Sequence, residues 1–188
     1  MTKGGTKTVR NYSKLAFTIV ELLIVIVVIG LLAAITLVGY SAVIGSANDK
    51  SIQADDAKLG DIVKLKNLDD QVVPVGGVTS GGVGTSTTFT GITFRPVAKA
   101  YDLSVANLYY CEGIINGTDE YGVVARAARS KNAFSFMSTS GVSKFTANVW
   151  TAAPNGTAVC GALGFTAPFT WSYGFNPTGS VWAAWATP

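Results

Sequence analysis

From Phe17 to Ile35 the chain reads FTIVELLIVIVVIGLLAAI, an apolar run broken by one charge, Glu21. About 20 such residues in a helix span a hydrocarbon core, so the pattern predicts a membrane-spanning helix. From Phe17 to Ile44 the only ionisable residues are Glu21 and Tyr40. Further on, Asn48 to Asp69 contains no proline and sets Ile52, Leu59, Ile62, Leu65 and Leu68 at spacings near three and seven. That is an imperfect amphipathic stripe. Asp55 with Lys58 and Asp61 with Lys64 are i, i+3 pairs that support it. Gly60 counts against it, and Gly30, Gly39 and Gly45 each weaken a helix by about 1 kcal/mol relative to alanine. The expectation is one helix from Phe17 to about Asp69, on the order of 80 Å long at ~1.5 Å per residue. Two helices broken near Gly45 to Asn48 are the alternative.

From Val72 the character of the chain changes. Val78 to Thr88 is rich in Gly, Ser and Thr and reads as a loop. Short runs rich in β-branched and aromatic residues follow at Phe89–Phe94, Asn107–Cys111, Tyr121–Ala127, Ala133–Met137 and Lys144–Trp150. Turn residues separate them, among them Asn116-Gly117 and Asn155-Gly156. The expected fold class is α+β: a long N-terminal helix packed on an antiparallel sheet of about four or five strands, half buried against it. Phe165, Phe169, Trp171, Tyr173, Phe175, Trp182 and Trp185 crowd the tail. They read as edge-strand and core packing, or else as a contact surface, since Trp and Tyr favour interfaces.

Charge sets the orientation. Lys3, Lys7, Arg10 and Lys14 precede the apolar run with no acid among them. By the positive-inside rule this flank stays cytoplasmic and everything after residue 45 lies outside. The apolar run is too long for a secretory signal peptide, whose core is roughly 7 to 15 residues. The chain therefore divides into a basic leader (1–16), a membrane-spanning or filament-core helix (17–45), an amphipathic continuation (46–70) and a β-rich extracytoplasmic domain (71–188). An acid at a helix centre in lipid costs about 2.5 to 3.5 kcal/mol, and less near the ends, so Glu21 calls for a function and a partner.

The stretch KLAFTIVELLIVIVVIGLLAAI resembles the cleavage and methylation motif of type IV pilins and type II secretion pseudopilins. The resemblance covers about the first fifth of the chain. It implies that a prepilin peptidase cuts between Ala16 and Phe17, that the new amine of Phe17 is methylated, and that Glu21 pairs with a neighbouring subunit's N-terminal amine during assembly. A charge costly in lipid is neutralised by an opposite one nearby. The family usually has glycine where this chain has Ala16, and often proline where it has Val38, followed here by Gly39. It also implies the fold named above: a long helix on an antiparallel sheet.

The remaining chemistry is sparse. The chain has no histidine, which excludes Ser-His-Asp and Cys-His arrangements. No phosphate-loop pattern occurs around its paired glycines. Asp69-Asp70 and Asp119-Glu120 lack EF-hand spacing and read as solvated turn residues rather than a calcium site. Asn116-Gly117-Thr118 and Asn155-Gly156-Thr157 match the glycosylation triplet, but a plain turn is the simpler reading. The two cysteines, Cys111 and Cys160, face an outward compartment where a disulfide persists. A bridge would close a loop of about 50 residues, worth roughly 4 kcal/mol; free buried thiols or separate partners are the alternatives. The resemblance implies a staple in this C-terminal region. Losing the leader removes four of the cations behind the formal +3, leaving a chain near −1 and no basic footprint for nucleic acid.

These features lead to an expectation of a non-catalytic filament subunit needing no cofactor or metal. Its partners would be copies of itself, the peptidase, an assembly platform and the cytoplasmic membrane, and its destination the cell surface. A type II secretion pseudopilin and a single-pass anchored surface binding domain are the rivals.

Overall fold

In the computed structural model, which describes residues 17–71, 74, 77–79, 89 and 91–188, helix α1 runs unbroken over Ile19–Asp70. The two-helix alternative is thereby set aside. The leader with Ala16, and residues 80–88 of the expected loop, lie outside the described residues. The chain divides into two compact units, Met1–Tyr40 and Ser41–Pro188.

In the first unit the helix is apolar all round. The seven consecutive side chains Leu22 to Val28 are each 47–61 % exposed. Seven helical positions point in every direction at 3.6 residues per turn, so no face is covered by the chain itself. A helix of this kind belongs in lipid or among other helices, and it is long and apolar enough to cross a membrane.

In the second unit α1 turns a defined stripe inward: Ile52, Asp55, Asp56, Leu59, Gly60 and Val63 are buried. The spacing of three and four is the helical period. The expected stripe drifts off this face, because Leu65 and Leu68 are 67 % and 69 % exposed while Ile62 is only partly covered. The i, i+3 ion pairs are also absent among the described residues. Asp55 instead accepts from the Val97 N–H (2.8 Å) and the Tyr101 hydroxyl (2.9 Å), Lys58 Nζ lies 5.9 Å from the Phe94 ring centroid, and Lys66 pairs with Asp70 at 2.8 Å.

Six of the strands lie in the order β1 (Val78–Thr79), β6 (Thr166–Asn176), β2 (Asn107–Ile115), β3 (Thr118–Arg126), β4 (Ala133–Met137), β5 (Gly141–Phe145), and β7 (Val181–Trp182) also pairs with β6. Every strand pairing is antiparallel. Asn116-Gly117 is the two-residue turn that joins β2 to β3, with φ of 52° and 82°. Positive φ at both positions is what a tight hairpin needs and what Asn-Gly tolerates.

Contrary to expectation, the sheet is not half buried but covered on both faces at its centre. One face holds Leu108, Tyr110, Tyr121, Val123 and Ala125 against Ile52, Leu59 and Val63 of α1. The other holds Tyr109, Cys111, Val124, Trp171 and Tyr173 under helix α2 (Gly156–Leu163), with Val159 and Cys160, and under Ala147, Val149 and Trp150. The aromatic tail supplies the long β6, which is interior to the sheet rather than an edge. Phe169, Trp171, Tyr173 and Phe175 are all at most 5 % exposed, so they are core. Pro168 conceals this strand in the sequence. It sits where the β2–β6 register shifts, between Gly113↔Phe169 and Ile114↔Thr166, and owes no ladder hydrogen bond there.

Two expected strands change. Among the described residues of Phe89–Phe94 no strand forms: Ile92 N–H closes a turn onto Phe89 O at 3.3 Å, and Phe94 makes a single bridge to Ala186. Lys144–Trp150 pairs only as far as Phe145 before folding beneath the second face.

Gly60 is required by close approach. A Cβ there would stand 2.3 Å from the Phe136 ring, and its carbonyl accepts from the Tyr121 hydroxyl at 3.2 Å. Gly60→Ala should lower stability by about 1–2 kcal/mol despite its better helix propensity, because overpacking outweighs it; the urea midpoint of the full chain in detergent reads this. Asp56 is fully buried with neither carboxylate oxygen hydrogen-bonded. Burial, then the neighbouring Asp55, pushes its pKa well up. The folded chain thus holds a proton that the unfolded chain releases near pH ~3.9, so this stabilising contribution is full below that pH and is lost as pH rises through the folded pKa. Asp56→Leu should stabilise at neutral pH by on the order of 1–3 kcal/mol, with the gap from wild type widening from pH 4 to 7 in urea melts.

Candidate functional site

Helix α1 begins in a way that explains where the one charge of its apolar run sits. Thr18 precedes the first helical residue, and its carbonyl accepts the Leu22 N–H at 3.3 Å. The Glu21 N–H donates to Thr18 Oγ1 at 3.3 Å. Glu21 Oε2 in return accepts from the Thr18 N–H and the Thr18 hydroxyl, both at 2.8 Å. This is a reciprocal capping box, in which a Thr and a Glu three residues on satisfy donors that the helix leaves open. The negative charge also lies at the positive end of the helix dipole. Among the described residues no cation pairs with Glu21. Sequence reasoning missed Thr18, although T-x-x-E ahead of an apolar run is the signature that would have revealed it.

The cap has a direct chemical meaning. It holds the carboxylate back toward the chain start, against the N–H of Thr18, the residue after Phe17. An amine on Phe17 would sit one residue from the group Glu21 already binds. Phe17 is 81 % exposed. Ala16 lies outside the described residues, so the geometry of the expected cut is not described on its leader side.

The structure joins Cys111 on β2 to Cys160 on α2, with Cα atoms 5.6 Å apart. The free-thiol alternative is set aside. The Asn155-Gly156 pair is not a turn between strands. Asn155 caps α2, its side-chain oxygen accepting from the Ala158 N–H at 3.3 Å.

The paired acids take different places. Asp69 and Asp70 end α1. Asp119 and Glu120 belong to β3 rather than to a turn, with Glu120 accepting from the Ser138 hydroxyl. Glu112 accepts from Thr170 Oγ1 at 2.7 Å and lines a hollow with Asp119, Ile114 and Pro168. Burial and then Asp119 act to raise the Glu112 pKa against that hydrogen bond. Among the described residues no three metal-ligating side chains cluster. A second hollow lies toward the other end of the sheet, lined by Arg126, Lys131, Lys144, Asn132, Asn148 and Trp150. Neither hollow was expected from sequence, since its members come from separate strands.

No family model, curated protein or solved structure matches this chain.

Replacing both cysteines by serine should cost about 2–4 kcal/mol of stability, since the bridge ties α2 to the sheet across 49 positions of sequence. Thermal unfolding of the reduced and oxidised full chain gives the same comparison without mutation.

Proposed function

We propose that this chain is a structural subunit of a type IV pilus-like filament, made as a membrane precursor and assembled through its N-terminal helix. The observation that carries the reading is a carboxylate held at the very start of a helix whose apolar side chains from Leu22 to Val28 are exposed on every side. Such a surface needs lipid first and other helices after. In the proposed sequence the basic leader stays inside, a peptidase cuts after Ala16, and Phe17 is methylated. An assembly machine then draws the subunit from the cytoplasmic membrane to the cell surface. Glu21 faces a neighbour's Phe17 amine, and repeated contacts that do not close build an open fibre. A shorter secretion pseudopilus uses the same parts.

One observation favours a second reading, a single-pass anchor for a surface binding domain. The capping box gives Glu21 a role that needs no partner. The two readings separate at Glu21→Gln, because glutamine keeps the cap and loses the charge. Under the filament reading Glu21→Gln inserts in the membrane but yields no sheared surface fibre. Wild-type fibre yield from this variant sinks the charge pairing. Intact mass of the sheared material tests processing alongside: the expected species begins at Phe17 and is one methyl heavier, whereas a full-length chain retained in the membrane supports the anchor.

A further inference from the structure

The two hollows carry opposite charge and lie at opposite ends of the sheet. At one end Glu112 and Asp119 lie near the β2–β3 turn on one side of the strands, while Glu120, buried and bonded to Ser138, alternates to the other. Among the described residues none of the three has an ion-pair partner. Glu112 and Asp119 face a common hollow, so their charges repel. At the other end stand Arg126, Arg129, Lys131 and Lys144. Two acids partly offset them. Buried Asp102 pairs with Lys131 (2.8 Å) and Arg126 (3.5 Å), and Asp49 of α1 accepts from Ser130 and from Asn132 Nδ2. Arg129, exposed in the turn after β3, and Lys144, exposed on β5, have no ion-pair partner among the described residues. The Arg126 guanidinium lies 6.0 Å from the Trp150 ring centroid, and both line the hollow that Lys144 also lines.

Strand β3 connects the two clusters. From Asp119 to Arg126 it spans roughly 24 Å at ~3.4 Å per residue. That is more than twice the ~10 Å over which charges act through dilute salt. Within one copy the clusters leave each other uncompensated.

We propose that the acidic end of one copy binds the basic end of a second copy, with Arg129 and Lys144 facing the hollow between Glu112 and Asp119. The contact is heterologous, so each copy keeps one free end of each sign and the series stays open. It rests on the filament reading and adds to it a contact made by the second unit alone. Complementary charge of this kind selects and orients partners.

The test uses charge reversal in full-length chains, with membrane insertion and thermal melts in detergent as fold controls. Arg129→Glu with Lys144→Glu, and separately Asp119→Lys, should each cut sheared fibre yield by roughly tenfold or more. All three changes in one chain should restore it in part, because the charge placed at position 119 then opposes those placed at positions 129 and 144. Wild-type yield from either single-end reversal overturns the contact while leaving the filament reading intact. Loss from the basic-end reversal alone, with no recovery in the triple variant, also overturns it and assigns that end to anionic headgroups or another anionic surface. Absence of fibres from the wild-type chain under all conditions overturns the filament reading and this contact with it.

Discussion

The second unit depends on the sheet's central strands being apolar on both sides. An antiparallel sheet usually leaves one face to water, but β2 and β3 carry near-continuous buried runs. Two covers are then required. The C-terminal part of α1 supplies one. A looser second layer supplies the other, formed by α2 and the segment from Ala147 to Trp150. The first cover is fixed by close packing at Gly60, the second by the Cys111–Cys160 bridge. A short helix of eight residues has little stability of its own, so a covalent tie and an asparagine cap do for α2 what length does for α1.

The α1 interface also contains a conflict. Asp55 is satisfied by Val97 and Tyr101, whereas Asp56 beside it is buried without a partner. A well-packed apolar residue at Asp56 would hold the helix more firmly. The satisfied acid gives the interface register, because Asp55 reaches the Val97 N–H and the Tyr101 hydroxyl at a single helix position. A one-residue rotation about the helix axis would remove both bonds and bring Asp61 or Lys64 toward the sheet.

Elements whose evidence is local were legible in the sequence. The apolar run needs only composition. The hairpin at Asn116-Gly117 needs only two residues of known conformational preference, and β4 matched its expected bounds because its apolar and aromatic run, with Phe134 and Phe136, ends cleanly at polar Asn132 and Ser138. What escaped depends on partners distant in sequence. The true inner stripe of α1 was misjudged because Gly60 and Asp55 look unfavourable until the ring of Phe136 and the Tyr101 hydroxyl are opposite them, and because Asp56 stays unfavourable even where it is buried. Strand β6 was hidden by Pro168, which is harmless only because a register shift in its neighbour leaves it unpaired. At the candidate site Glu21 stood out by its cost, while Thr18 passed unnoticed because a threonine in an apolar run costs little. The two charged hollows could not be read at all, since adjacency in the sheet, not in sequence, assembles them.

The start of α1 has a consequence for how the chain would mature. Its cap consists of Thr18 and Glu21, both downstream of the expected cut between Ala16 and Phe17. The instruction to begin the helix is thus written in the part that would be kept. Removal of the leader would strip four cations and expose an amine without touching the bonds that nucleate the first turn. Maturation could then change the electrical character of the chain's end while leaving its backbone as it was, so that precursor and product would differ in whom they can pair with and not in how they are folded.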